Sequence, residues 1–580
     1  MVSRESTVTS LVTPRSINEN ELESQEIQEH KFKESDAGDG TQRDDHYLTG
    51  MKLLTCLFAL LLCLFVVALD QTIIVTLLSV VGNKFDAFNQ VGWISSGFLL
   101  SVTIFTVIWG KLSIMFGRKY SMYISLIIFE AGSLMCALAN NMNTLIGGRV
   151  LAGVGGGGVQ SLVFIIVSEV VPIHSTKSLF SINRASSFAL LSIVFLVASV
   201  VGPIIGGAFT SSSASWRWCF YINLPIGGLA GVLFGFAFNP PFPKGNLFKK
   251  LLTIDYMGVF LMSAGWTLFL LALTFGGGSE FSWDSSAVIS CFVLGGVLII
   301  GYFVYNHYLS KNQIIPTAVL SIPQNIAAAV ATFSVFGYFI ASLLYLAIYF
   351  QVIWNSSPMK SGIHILPIVI PVILFSIMCS VIINKTRYVK PIVLVGAVLG
   401  PVANGLLCLL DVDSSNGNKI GLLILVGVSI GLQMQPLFLA AQISAPKTPG
   451  GTILTTTFMN FAKSLGGAVS GNLADAVYGA SIKRFYNQRI ANAPASIVKE
   501  LSKINGDTLV NSTESLSGYS DETLTFLKKI IMSSITNVFY MQLGFAGLGL
   551  IASLFISNHR RNPSRTWNRQ QNQPQNRNQN

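Results

Sequence analysis

The sequence predicts an all-α integral membrane protein with fourteen transmembrane helices. Three observations carry that expectation: of 580 residues only 11% are charged, 51% are hydrophobic, and the apolar residues gather into long blocks. Soluble domains carry about 25% charged residues, so a chain this long with so few has too little polar surface to face water on every side. Many of the blocks reach the roughly 20 residues that a helix needs to cross a bilayer.

The blocks lie near 52–72, 91–109, 120–139, 145–167, 186–209, 220–238, 256–275, 287–307, 325–352, 361–383, 391–410, 420–443, 453–479 and 535–557, the last two having the least defined ends. Before them, residues 1–50 are polar and poor in aromatics, the composition of a disordered tail. After them, residues 558–580 form a second polar, basic, low-complexity tail. No cleavable signal peptide is expected, because the first apolar block begins near Met51 and is long enough to span.

The net charge is +11. Its basic residues sit in short gaps between apolar blocks, as cytosolic loops require, so nucleic acid is not an expected partner. The gaps after blocks 2, 4, 6 and 10 hold Lys111, Arg118, Lys119, Lys177, Arg184, Lys244, Lys249, Lys250, Lys385, Arg387 and Lys390. Those after blocks 1, 3, 5, 7 and 9 hold only Lys84, Arg217 and Lys360. Both tails are then cytosolic, in agreement with an even helix count. A long connection near 481–529 falls on the opposite side and contains the sequon Asn511-Ser512-Thr513, a glycosylation candidate at Asn511. A second triplet begins at Asn355, too close to the membrane for modification. The seven cysteines lie in or beside apolar blocks and read as small hydrophobes, with no disulfide or metal spacing.

The strongest local signal is the run from Gly110 to Lys119, in which Gly110 and Gly117 flank a tight turn and Arg118 and Lys119 follow it. Glycine permits close backbone approach, and the cations would anchor the turn at an anionic leaflet. This run resembles the loop signature between helices 2 and 3 of the major facilitator superfamily. Other pieces follow in the order that superfamily has them: Leu69-Asp70-Gln71-Thr72-Ile73-Ile74, the Arg149 to Gly157 stretch, Val201-Gly202-Pro203-Ile204-Ile205-Gly206-Gly207, and Trp216 to Gly228 with Asn223 and Pro225. Leu273 to Gly277, Gly362 to Pro367 and Asn460 to Gly467 continue the series. The resemblance covers roughly residues 50–557 and is to the fungal fourteen-helix drug:proton antiporters, the branch with azole- and acriflavine-resistance exporters and vacuolar basic amino acid transporters. It implies six-helix bundles at 51–238 and 311–557, a linker with two additional helices at 239–310, a small-molecule substrate, protons as coupling ion and a monomer. One departure matters: the family's loop carries an acid where this chain has Ile114, so the latch that acid forms is either absent or built differently.

Ionisable residues inside a membrane are functional candidates by default. Asp70 lies late in block 1 and Arg149 early in block 4, close enough for a proton to be exchanged for an ion pair, since those two helices adjoin in the resembled fold. Glu130, midway along block 3, is a candidate for a second proton-coupling site or for cation recognition. Glu169 reads as a solvated end residue, and Lys463 and Asp475 in block 13 as structural or interfacial. Pro203 would kink its helix, while Gly202, Gly206 and Gly207 allow close packing; in the resembled family this antiporter motif accompanies export. The Gly155–Gly158 run lacks the Lys-Ser/Thr of a phosphate loop and lies inside an apolar block, which excludes nucleotide binding. Phe336, Tyr338, Tyr345, Tyr349 and Phe350 in block 9 read as packing or lipid-facing rather than cavity-lining.

No hydrolytic constellation, metal-ligand spacing or cofactor motif appears, so an enzyme is not expected. The functional expectation is a proton-coupled antiporter that exports small cationic or amphipathic compounds from the cytosol, by rocking of two bundles about a midplane site. A vacuolar importer of basic amino acids and a non-transporting membrane sensor are the alternatives, and the location is the plasma or the vacuolar membrane.

Overall fold

Asn141 closes the start of a long helix by accepting the backbone N–H of Thr144 at 2.7 Å, and Ser285, Ser415 and Ser520 do the same for three others. Each of these caps satisfies an N–H that the first helical turn leaves unpaired. The computed structural model describes residues 46–87, 90–171, 184–212, 215–241, 243, 250, 252–277, 281–386, 388–501 and 519–557. Among these residues all regular structure is helical.

The fourteen long helices are α1 Gly50–Ile73, α2 Val91–Phe116, α3 Arg118–Ala137, α4 Met142–Val170, α5 Arg184–Ser211, α6 Asn223–Ala237 and α7 Tyr256–Gly277. They continue as α8 Ser286–Tyr308, α9 Pro323–Ile348, α10 Pro358–Thr386, α11 Lys390–Leu407, α12 Asn416–Ile443, α13 Gly451–Ile490 and α14 Asp521–Leu554. Among the described residues thirteen spans are long and apolar enough to cross a membrane, a short helix at Trp218–Tyr221 completing the sixth. Only α13 is too polar for that criterion; Thr455, Thr456, Asn460, Lys463 and Asn472 are nonetheless buried, because neighbouring helices surround them. With fourteen crossings, Gly50 and Leu554 lie at the same end of the molecule, called here the basic end, and the α1–α2 connection lies at the far end.

The first bundle is α1–α6, with α4 seated between α2 and α3, and α1 against α5 and α6. A Cβ on Gly155 would stand 2.3 Å from the Phe129 nitrogen, and one on Gly157 would stand 2.7 Å from the Val102 carbonyl. The glycine run of α4 therefore serves helix packing. The second bundle is α9–α14, in which α12 bridges α10 and α11, and α9 lies against α13 and α14. The bundles meet along α2–α13 and α5–α10. The remaining pair, α7 and α8, attaches through α7 to α2 and α13. Only 17% of the most apolar stretch of α8 is buried, with Ile289, Val293, Val297, Ile300 and Val304 exposed. Such a face is apolar enough to lie against lipid.

The connection expected near 481–529 is shorter than the hydropathy suggests. α13 runs on to Ile490 and α14 begins at Asp521. Lys483, Arg484, Lys528 and Lys529 end the apolar blocks without ending the helices, because Ile482, Tyr486, Leu527 and Ile530 keep a buried stripe between them. The Arg489 guanidinium donates to Ser533 Oγ at 2.8 Å across the pair. Asn511, Lys177, Lys244, Lys249, Arg387, residues 1–45 and residues 558–580 lie outside the described residues.

Candidate functional site

Near the far end, α1, α3, α4 and α6 bring four polar side chains together in an otherwise apolar bundle. Asp70 is fully buried and forms an ion pair with the Arg149 guanidinium, which is also buried. The other Arg149 contacts are the Ile94 carbonyl, which accepts from Nε at 3.1 Å, and the Phe98 ring, 4.1 Å below the guanidinium. Asp70 Oδ1 accepts from the Asn223 side-chain amide at 2.9 Å, and the same amide donates to Ser133 Oγ at 3.1 Å. Glu130 lies one turn from Ser133 on α3, and both its carboxylate oxygens are buried without a hydrogen-bond partner among the described residues. Gly227, one turn from Asn223 on α6, makes the space for it: a Cβ there would overlap Glu130 Oε1 at 1.7 Å. A buried charge without a partner is costly.

The antiporter motif packs on the residues just beyond Asp70. Thr72 Oγ1 donates to the Ala198 carbonyl at 2.9 Å. A Cβ on Gly202 would lie 2.2 Å from Thr72 Oγ1, and one on Gly206 would lie 2.2 Å from Thr76 Oγ1. Pro203 sits inside α5, beside Gly362 of α10. Two motifs that are separate in sequence thus form one α1–α5 contact, which continues across the bundle interface.

At the basic end, Gly117 is the single residue between α2 and α3 and has φ +88°, a conformation glycine adopts without steric cost. Gly110 stands against Thr457 of α13, leaving no room for a Cβ, which would lie 2.3 Å from Oγ1. The expected leaflet anchoring by the two cations is not what is observed. Arg118 is buried and donates to Glu169 of α4 from Nη2 at 2.7 Å and from Nε at 3.0 Å. Lys119 donates to the Gly235 carbonyl at 3.0 Å and to Asn239, at the end of α6. Glu169 is accordingly not a solvated end residue; it is 2% exposed. The pair ties α3 to α4 within the first bundle, where a buried guanidinium fixes the carboxylate.

Between the bundles lies a cavity lined by Phe164, Phe188, Ser192, Phe336, Gln435 and Lys463, among others, with about 10 Å³ of free space. That is room for roughly one water molecule. Phe164 of α4 stacks on Phe438 of α12 with ring centroids 5.3 Å apart, bridging the bundles. Nearer the far end, Ser96 of α2 donates to Asn472 of α13 at 3.2 Å. α2 and α13 thus touch towards both ends of the bundle interface. Phe336 lines it, while Tyr338, Tyr345, Tyr349 and Phe350 are buried in packing, so none of the five faces lipid. Asp475 is exposed and accepts from the Tyr345 hydroxyl at 2.7 Å.

The sequence pattern of the Major Facilitator Superfamily matches residues 60–471. The chain is 34% identical to azole resistance protein 1 of Saccharomyces cerevisiae, across 90% of both chains. It is 36% identical to vacuolar basic amino acid transporter 5 of the same yeast, across 90% of this chain and 94% of that one. It is 33% identical to efflux pump bfoC of Aspergillus brasiliensis, across 88% and 87%. Among solved structures, a bacterial homologue of the human lysosomal transporter Spinster, in an inward-facing unoccupied conformation, matches with a TM-score of 0.54 at 13% identity, over 88% of this chain and 98% of that one. A proton:xylose symporter matches at 0.52 and 14%, over 87% and 94%.

Proposed function

Because this chain belongs to the Major Facilitator Superfamily and is a membrane transporter rather than an enzyme, we propose that it is a proton-coupled antiporter exporting small amphipathic compounds from the cytosol. The observation that carries the proposal is the buried Asp70–Arg149 pair, held on its other side by Asn223 and adjoined by Glu130. An ion pair shut away from water loses much of its stability when one partner is neutralised. Protonation of Asp70 would therefore release Arg149 and the α1–α4 contact, while deprotonation would restore both. That is a two-state element which a proton gradient can bias. Glu130, one turn nearer the middle of α3, is the next carboxyl on the path.

The basic end then faces the cytosol with both chain ends. The membrane is the plasma membrane or the vacuolar membrane. The cationic substrates expected from sequence gain no support from the cavity, whose charged lining group is itself a cation. Vacuolar import of basic amino acids remains the second reading, favoured by the 36% identity to a protein of that name.

Inside-out vesicles with an imposed proton gradient test the reading, using a fluorescent amphipathic dye beside labelled lysine and arginine. Gradient-dependent dye uptake that disappears in Asp70→Asn is expected. Uptake of the amino acids alone would select the second reading, and uptake indifferent to both gradient and substitution would sink the antiport mechanism.

A further inference from the structure

Lys463 lies about a third of the way along α13 and is 5% exposed. Its ammonium stands 4.8 Å from the ring centre of Phe336, 5.0 Å from that of Phe195 and 5.1 Å from that of Phe164. These rings belong to α9, α5 and α4, so both bundles contribute to its surroundings. No carboxylate lies within ion-pair distance of it among the described residues. Arg149 and Arg118 differ in just this respect, each being neutralised by a carboxylate. Asp475, the acid on the same helix, is twelve residues away, about 18 Å along the axis at 1.5 Å per residue.

An ammonium taken out of water without a counter-ion is strongly disfavoured. Contact with three ring faces offsets part of that cost, but a ring face carries no full neutralising charge. A ligand acid would supply the missing partner, and its aromatic or aliphatic body would find the phenylalanine rings already in place. We propose that Lys463 is the anion-binding residue of the central cavity, and that this transporter carries amphipathic compounds bearing a carboxylate or similar acidic group. This rests on the export reading above for its direction of transport, but not for the binding site itself.

The test uses two xanthene dyes of similar shape and opposite charge: fluorescein, a carboxylate, and rhodamine 6G, an esterified cation. Binding to the purified full-length protein is followed by fluorescence polarisation without any gradient, and transport is followed in proteoliposomes with one. The wild type should bind and carry fluorescein in preference to rhodamine 6G. Lys463→Met should weaken fluorescein binding by about tenfold or more, the loss expected for one charge-assisted hydrogen bond, and leave rhodamine 6G binding unchanged or improved. Lys463→Arg should retain most of the fluorescein binding, and Lys463→Gln replaces the methionine variant if the latter is not monodisperse. Fluorescein binding unchanged without the lysine charge, or loss of both dyes alike, would overturn the proposal. Proton-driven transport of rhodamine 6G without lysine-dependent fluorescein binding removes the anion site and leaves export standing. Lysine-dependent binding without gradient-driven transport supports the site and removes the export reading.

Discussion

Asn223 donates its side-chain amide to Asp70 Oδ1 at 2.9 Å, the carboxylate oxygen that Arg149 does not engage. The aspartate is thereby held between a cation and a neutral donor that also reaches Ser133. A hydrogen bond to a charged group contributes about 1.5–3 kcal/mol, so Asn223→Ala should lower gradient-driven transport roughly tenfold or more. Substrate binding without a gradient should stay near the wild-type level. Equal loss in both assays would place Asn223 in the structural scaffold instead.

The Arg118–Glu169 pair ties α3 to α4 at the basic end and should keep the first bundle closely packed there. Removing one partner of a buried pair costs about 3–5 kcal/mol, so Glu169→Gln should loosen that packing. Modification of Phe164→Cys by a thiol reagent applied from the basic side should rise in this variant, in a background freed of the seven native cysteines. Labelling no faster than in the parent would show that the pair does not hold that packing.

Helix packing supplies a paired test. A Cβ on Gly155 would meet the Phe129 backbone at 2.3 Å, while one on Gly228 meets nothing within 4 Å. Gly155→Ala should lower thermal stability in detergent by an overpacking cost of about 1–3 kcal/mol. Gly228→Ala should leave the melting temperature unchanged or slightly raised. Similar behaviour of the two would contradict the close α3–α4 approach.

At the far end, hydrogen bonds from Thr523 and Ser520 hold the exposed Glu500 carboxyl below its ordinary value. A depressed folded-state value means that its contribution is complete above the unfolded value, about 4.3, and is lost as pH falls through the folded value. The contact should therefore persist at the mild acidity of a vacuole. Hydrogen exchange at Thr523 and Leu524, corrected for intrinsic rates, should show the same protection at pH 7 and pH 5, and Glu500→Gln should reduce it at both. A loss of wild-type protection between those values would contradict the assignment.

Asp70 and Arg149 were legible in the sequence because a charge inside an apolar block stands out against its neighbours. Glu169 was not: at the end of a block a carboxylate reads as solvated, and only the fold shows that α3 turns Arg118 inward to meet it. Ser133 carries no signal of its own. Asn223 lay within a recognised motif, yet a neutral amide in an apolar run gives no hint of its partner. Lys463 was visible as an intramembrane cation, but its place in a cavity depends on which face of α13 meets α4, α5 and α9. The ends of α13 and α14 were hidden because hydropathy falls where a helix leaves the membrane, whereas helical pairing continues as long as one stripe stays buried.

The most direct test of the coupling mechanism is proton release on substrate binding, measured with a pH indicator in weakly buffered detergent solution. A substrate that the vesicle assay identifies should displace protons from the wild type, and Asp70→Asn should bind it with markedly reduced release. Equal release from both proteins, or none from the wild type across the pH range of transport, would contradict proton exchange at Asp70.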